Sequence, residues 1–202
     1  HTTETVADCS PVYSKCEARR FFGVGENDFV MFTGANSLGE KRKGMHILIE
    51  ACNMMAPKTE GSRKVTLLIL GNGSETVKEQ IDNRINAVAV PFLPKEDFFK
   101  AYYACDIYVS PTLADSGPMM VNYAMACGRP FVAFPIGCAV DFFNENTGYI
   151  AEYGNARQFC DGMLYFYNKT VEEMQRYTAS CQDKLNEFKD AWPNAMKAAL
   201  GE

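Results

Sequence analysis

The segment SPTLADSGPMMVNYAMACGRPFVAFPI, residues 110–136, decides the fold of this chain. A buried strand is predicted at its start, then a polar loop, a helix from Met119 to Cys127 and a second buried strand from Phe131 to Phe134. Pro118 and Gly128 are the residues typically found at the two ends of a helix. The free N–H groups at a helix start bind anions, and ligands of parallel sheets bind beyond the carboxyl ends of strands. The segment therefore predicts an anion site.

The remaining chain repeats this alternation of strand and helix. Further strands are predicted at 29–33, 65–70, 87–92, 107–109 and 148–150. Helices are predicted from Met45 to Met55, after Gly71 to about Arg84, from Pro94 to Ala104, and throughout the chain after residue 155, where Thr170 and Glu173 form a capping box. This β-α-β pattern predicts an α/β fold: a Rossmann-like three-layer α/β/α domain with a parallel sheet, followed by C-terminal helices.

Composition excludes several classes of protein. The chain has 202 residues, of which 47% are hydrophobic, and a net charge of -5, so a large core is expected and nucleic acid is not an expected partner. No apolar run approaches the roughly 20 residues of a membrane span. Eight cysteines without a Cys-x-x-Cys pair predict buried, reduced thiols and a cytoplasmic protein.

The run PTLADSGPMMVNYAMACGRPFVAF, residues 111–134, resembles the signature of the retaining, GT-B-fold glycosyltransferases of family four. In that family a Glu, seven residues and a second Glu precede an Ala-Met-Ala-Cys-Gly run. Counting back from Ala124 to Gly128, Asp115 stands at the first Glu and Tyr123 at the second. The resemblance extends from about Val24 to about Phe166, and it includes the Lys-Gly phosphate loop of the family in Lys41-Arg42-Lys43-Gly44.

The resemblance implies the C-terminal, donor-binding half of a larger enzyme. Residues 13–202 are then a nucleotide-sugar-binding Rossmann-like domain, residues 1–12 a tail or interdomain linker, and the N-terminal acceptor domain is missing. The implied activity moves a sugar from a UDP- or GDP-type nucleotide sugar to a glycan or lipid-linked acceptor with retention, without metal or cofactor. The implied fragment is inactive alone, and the full-length enzyme is compatible with peripheral membrane association.

Phosphate contacts are expected at two places. Lys43 precedes the loop glycine and is implied to hold the donor diphosphate, with Arg42 beside it; the alternative is a solvated basic loop. The family commonly has an Arg after the strand-end glycine Gly34, where this chain has Ala35. At the second place, the backbone around the helix start is implied to face the donor, although an ordinary helix cap is the alternative; its residues are Ser116, Gly117, Met119 and Met120.

Asp115 is the candidate catalytic residue, because a carboxylate can hold sugar hydroxyls and stabilise a developing oxocarbenium ion. The alternative is an ordinary loop aspartate. Tyr123 stands where the family's Glu binds the ribose hydroxyls, but a phenol cannot clasp two hydroxyls as a carboxylate does. Its alternative is an aromatic packing residue. The backbone at further strand ends is implied to bind the donor and read its base, namely at Gly34, Gly71, Asn72, Phe92 and Leu93.

Other chemistries lack their motifs in this sequence. No Asp-x-Asp motif or metal-ligand spacing is present, and no Gly-x-Gly-x-x-Gly fingerprint follows a strand. His46 is the only histidine besides His1, which leaves no Ser-His-Asp or Cys-His pairing without it. Two alternatives to the transferase stay open. One is a degenerate, non-catalytic nucleotide-sugar-binding or scaffolding domain, and the other is a sugar-nucleotide epimerase on the same architecture.

Overall fold

A single parallel sheet organises the chain. The computed structural model describes residues 12–61, 63–115 and 119–200, with side chains up to residue 187. The strands are β1 (Phe29–Ser37), β2 (Val65–Asn72), β3 (Asn86–Val90), β4 (Ile107–Ser110), β5 (Phe131–Ala133) and β6 (Gly148–Ile150). They lie in the order β3-β2-β1-β4-β5-β6, and each neighbouring pair is parallel. The strand order reverses between β1 and β4, which is where open α/β sheets form a ligand crevice.

Helices cover both faces of this sheet. They are α1 (Lys15–Phe21), α2 (Met45–Met55), α3 (Ser74–Lys78), α4 (Lys95–Ala104), α5 (Met119–Ala126), α6 (Cys138–Phe142), α7 (Ala156–Tyr167) and α8 (Val171–Leu200). Alternate residues of β1 enter different cores. Phe29 and Met31 pack in one core with α2 and α7, whereas Val30 and Phe32 pack in the other with α4 and α5. The predicted three-layer α/β/α class is confirmed.

The helix after β2 is shorter than predicted. It ends at Lys78, not near Arg84, and turns follow it. The side chain of Asn53 binds this turn, because it donates to the carbonyl of Gln80 at 3.1 Å and accepts from the N–H of Asp82 at 2.8 Å. Such side-chain contacts offer the backbone an alternative to helical hydrogen bonds.

Strand ends also differ from the prediction: β2 ends at Asn72 instead of Leu70, β5 ends at Ala133 instead of Phe134, and two further differences involve β1 and β3. β1 continues three residues beyond Gly34, because its register with β2 shifts and Ser37 pairs with Asn72. β3 ends at Val90 and not at Phe92, since Pro91 has no N–H to donate to a ladder. At the carboxyl edge of the sheet, β1 is therefore longer than predicted, and residues 91 and 92 belong to the loop after β3.

The start of α8 has the predicted capping box. The N–H of Thr170 donates to Glu173 Oε2 at 2.7 Å, and the N–H of Glu173 donates to Thr170 Oγ1 at 3.2 Å. Among the helices of the described residues, none combines the length and apolar character needed to cross a bilayer. The predicted tail, residues 1–12, lies outside the described residues except for Val12.

The cysteines follow the prediction with one correction. Five of them are buried, one is half-buried, and those of the described residues form no disulfide. Cys16 is exposed on α1, so the prediction of a buried thiol is wrong there. Cys9 lies outside the described residues.

Candidate functional site

A cleft of about 480 Å³ opens at the carboxyl ends of β1, β2 and β4. Gly34, Gly71 and Ser110 line it from the three strands, and Met119 lines it from the start of α5. This is the point at which the strand order reverses. We call it the donor cleft, and it is the place where parallel α/β sheets bind their ligands.

A glycine contact fixes the basic loop against the donor cleft. Gly44 has φ +68°, and a Cβ atom there would lie 1.9 Å from the carbonyl oxygen of Pro111. The N–H of Leu113 donates to the carbonyl of Arg42 at 2.8 Å. The loop before α2 therefore lies directly on the loop after β4, and only glycine permits so close an approach.

This contact brings Lys43 and Asp115 together. Lys43 Nζ lies 2.7 Å from Asp115 Oδ2, and the side chains are 15% and 20% exposed. Arg42 Nη1 lies 3.8 Å from the same oxygen, while Arg42 Nε donates to Glu40 at 2.6 Å. The predicted phosphate-binding cation and the predicted catalytic carboxylate thus form an ion pair, in which Asp115 neutralises much of the charge of Lys43.

The start of α5 supplies a second wall. Met119 and Met120 both line the donor cleft. The hydroxyl of Tyr102 donates to the carbonyl of Met120 at 2.8 Å, which fixes the first turn of the helix against α4. The predicted site residues Ser116 and Gly117 lie outside the described residues, and their contact with a donor stays a prediction.

Backbone atoms and an apolar surface complete the donor cleft. Gly71 has φ +126°, and a Cβ atom there would lie 1.8 Å from the carbonyl oxygen of Ala35. β1 and β2 therefore approach closely at their ends. Phe92 and Leu93 line the opposite side, and Phe92 is 67% exposed. An exposed ring at the edge of a cleft is suited to stacking with a base or a sugar.

Two predicted residues lie outside the lining of the donor cleft. Asn72 is exposed, and its carbonyl accepts from the N–H of Leu38 at 2.9 Å. Tyr123 packs edge to face on Phe99, with ring centroids 5.3 Å apart, and on Phe98 at 5.9 Å. The structure thus favours the packing alternative for Tyr123, and its contact with ribose stays a prediction.

Sequence reasoning missed several residues of the lining. Lys95, at the start of α4, adds a third cation to Arg42 and Lys43, against the two carboxylates of Glu40 and Asp115. The other residues missed are Asn36, Ser37, Glu40, Leu70, Phe98, Tyr108, Ser110 and Thr112. Position shortly after a predicted strand end could have identified Asn36 and Ser37, after the strand predicted at 29–33, and Lys95, after the strand predicted at 87–92.

Burial raises the pKa of two titratable groups near the donor cleft. It raises the pKa of the Tyr108 phenol well above its ordinary value. It also raises the pKa of the Cys138 thiol to about 12, and Asp141 adds to this shift. Both groups are therefore neutral at physiological pH, so Cys138 is no thiolate nucleophile. In the described part of the chain, no group of three or more His, Cys, Asp or Glu side chains could hold a metal ion.

Solved structures share this fold. A glycosyltransferase from Rickettsia africae superposes with a TM-score of 0.70 at 19% identity, over 98% of this chain and 55% of that chain. Anabaena HepE in complex with UDP and glucose gives a TM-score of 0.69 at 19% identity, over 100% and 53%. The C-terminal domain of LpcC, a glycosyl transferase group 1 family protein of Francisella tularensis, gives 0.69 at 17% identity, over 93% and 97%. The chain thus has one half of the GT-B fold.

Sequence relatives give the family. A Haemophilus influenzae protein, described as an uncharacterized glycosyltransferase, is 29% identical over 133 residues. The match covers 62% of this chain and 36% of that protein, so the chain spans about a third of this curated relative. The family model "Glycosyl transferases group 1" matches residues 27–169, well over half of the chain and all six strands. The chain therefore belongs to the glycosyl transferases group 1 family.

Proposed function

We propose that this chain is the donor-binding half of a retaining glycosyltransferase. It takes a sugar from a UDP- or GDP-type nucleotide sugar and passes it to a glycan or lipid-linked acceptor. The observation that carries the proposal is the position of Lys43 and the start of α5, which border one cleft at the reversal of strand order. Family membership and the UDP complex of HepE support it.

The residues of the donor cleft suit a nucleoside diphosphate leaving group. The diphosphate lies beside Lys43 and at the amino end of α5, where positive charge and free N–H groups stabilise it as the sugar bond breaks. The base lies on the exposed ring of Phe92 and on Leu93. Asp115 holds the sugar hydroxyls, and it reaches them when the diphosphate takes over its ion-pair partner. This chemistry needs no metal or cofactor.

The acceptor is bound by a further domain. The chain spans about half of the length of the Rickettsia africae and HepE structures, and the donor cleft opens on one side. We propose that an N-terminal acceptor domain forms the opposite wall, in a cytoplasmic enzyme that associates with membranes only peripherally. The free cysteines of the described residues support a reducing compartment.

Calorimetric titration with UDP and GDP tests the proposal. A charged hydrogen bond to phosphate contributes about 1.5–3 kcal/mol, so Lys43→Ala should weaken binding by roughly 10- to 100-fold. Uridine and guanosine should bind the variant as they bind the original chain. The matched control is Lys58→Ala, since Lys58 is exposed and lies outside the lining of the donor cleft.

A non-catalytic scaffold is the second candidate. Two observations favour it: Tyr123 packs on aromatic rings, and Lys43 already forms an ion pair with Asp115. A scaffold should bind neither UDP nor GDP at millimolar concentration. Absence of binding to both would therefore replace the transferase proposal with this one.

A further inference from the structure

A second cavity of about 480 Å³ lies at the opposite edge of the sheet. Asp28 and Asp106, which immediately precede β1 and β4, line one side of it. Met174 and Thr178 line the other side from the first turns of α8. We call it the basal cavity. Because it lies at the amino ends of the strands, it is separate from the donor cleft.

Four cations line the basal cavity, and two of them form hydrogen bonds with Asp106. Asp106 accepts from Lys15 at 2.5 Å and from Arg19 at 3.0 Å, and its Oδ2 also accepts from the N–H of Val30 at 2.8 Å. Arg19 also donates hydrogen bonds to backbone carbonyls, including that of Ala104 at 3.0 Å. Lys15, Arg19 and Asp106 therefore form a structural network that joins α1 to the sheet.

Arg63 and Arg129 differ from this network. The Nε atom of each is buried and has no hydrogen-bond partner among the described residues. Arg63 Nη2 lies 3.9 Å from Asp106, which is too long for a hydrogen bond. Arg129 forms no ion pair with any described carboxylate. The buried Nε atoms are out of reach of a ligand, so an acceptor in the basal cavity would bind the other guanidinium N–H groups of these two half-exposed side chains.

Aromatic rings hold the Arg63 guanidinium, and the backbone beside Arg129 packs closely on α8. The Arg63 guanidinium lies over the ring of Phe29 at 4.9 Å and near that of Tyr167 at 5.9 Å. Stacking uses the faces of the guanidinium and leaves its in-plane N–H groups for a ligand. Arg129 follows Gly128, where a Cβ atom would lie 2.7 Å from Thr178 Cγ2, so α8 packs directly on this corner.

We propose that the basal cavity binds the phosphate group of a small phosphorylated molecule between Arg63 and Arg129. A phosphomonoester carries close to two negative charges at neutral pH, and a carboxylate carries one. The lining has four cations against three carboxylates, Glu26, Asp28 and Asp106, and the two arginines are the cations without a hydrogen-bonded carboxylate. Guanidinium groups bind phosphate oxygens through paired N–H donors. The cavity of about 480 Å³ is far larger than a phosphate group, and Val171 and Met174 offer an apolar wall to the rest of the molecule.

Calorimetry with inorganic phosphate and with glycerol 2-phosphate tests this proposal. The titrations use the Lys43→Ala chain at constant ionic strength, so that the donor cleft contributes little. Arg129→Gln should weaken the binding of both probes at least 10-fold, and Arg63→Lys should do so too, because it keeps the charge but loses the planar fork. The matched control is Arg157→Gln: Arg157 is exposed on α7, outside the basal cavity, and its variant should bind as before.

Three results would overturn the proposal. The first is equal affinity for phosphate in Arg129→Gln, Arg63→Lys and the control. The second is no binding of either probe at tens of millimolar. The third is acetate binding as tightly as phosphate, which would assign a carboxylate site instead. Thermal melting of each variant accompanies the titrations, and if Arg129→Gln fails to fold, Arg63→Lys alone decides the outcome.

Discussion

Replacing Asp115 with Asn should strengthen the binding of UDP. In the protein Asp115 Oδ2 lies 2.7 Å from Lys43 Nζ, and both side chains are largely covered. A diphosphate that binds Lys43 must compete with this carboxylate and must also approach its negative charge. Asn keeps the shape and a hydrogen-bonding oxygen but removes that charge, so the competition and the repulsion both fall.

The magnitude follows from the geometry of this ion pair. A diphosphate oxygen in contact with Lys43 lies about 6 Å from the carboxylate, where two unit charges interact by ~3 kcal/mol at an effective dielectric constant of about 20. The side chains are 15% and 20% exposed, so water screens part of this energy. We therefore expect a gain of about 1 to 2 kcal/mol in binding, which corresponds to an affinity roughly 5- to 30-fold higher.

Calorimetric titration with UDP at low and high salt measures this gain. The gain should shrink as salt increases, because part of the repulsion is screened. Asp161→Asn makes the same change of net charge at an exposed position of α7 and should leave the affinity unaltered. A double-mutant cycle sharpens the test: Lys43→Ala should cost more affinity in the Asp115→Asn background, since Lys43 then has no competing carboxylate to leave before it binds the phosphate.

Weaker binding of UDP by Asp115→Asn would refute this reasoning, because Asp115 would then position Lys43 for the ligand instead of competing for it. An affinity equal to that of Asp161→Asn would also refute it, by showing that the diphosphate lies far from Asp115. In the first case Lys43→Ala should cost less affinity in the Asp115→Asn background, and in the second its loss should be independent of residue 115.

The remaining predictions concern the shape of the donor cleft. Gly44→Ala places a methyl group 1.9 Å from the carbonyl oxygen of Pro111 at a φ of +68°, so we expect a loss of more than about 1 kcal/mol in the free energy of unfolding, together with weaker UDP binding. Urea titration measures it, and Gly61→Ala, also at positive φ but in open space, is the control. Tyr123→Glu removes an aromatic ring that contacts other rings and should cost roughly 2 to 3 kcal/mol, whereas Tyr123→Phe should cost under about 1 kcal/mol. An unchanged melting temperature and tighter UDP binding in Tyr123→Glu would instead place this residue at the ribose.

Much of the fold could be predicted because its signals are local. The apolar run of β2 and the helical spacing in α2 each lie within a dozen residues. Gly128 directly follows the predicted end of the helix at Cys127, and α5 ends at Ala126. The prediction failed where the cause is distant in sequence. Asn53, on α2, binds the turn at Gln80 and Asp82, and no pattern within residues 74–84 indicates that contact.

The candidate site divides in the same way. Lys43 and Asp115 could each be proposed from a motif, because the family resemblance fixes their positions along the chain. Their ion pair could not, since it depends on the close contact of Gly44 with Pro111, 67 positions later in the sequence. Tyr123 is a case in which the motif predicts a contact that the tertiary packing does not favour. Its position in the motif suggests a ribose contact, but the rings that surround it come from α4, which the motif does not include.

Charge balance in the donor cleft predicts that this domain alone binds a nucleoside diphosphate only weakly. The lining has three cations, Arg42, Lys43 and Lys95, and two carboxylates, Glu40 and Asp115, which pair with two of those cations. One net positive charge and a helix start therefore face a diphosphate that carries at least two negative charges. The residue after Gly34 is Ala35, which adds no charge. We expect the rest of the compensating charge to come from the proposed acceptor domain, so that a tight complex with the proposed donor forms only when both domains are together.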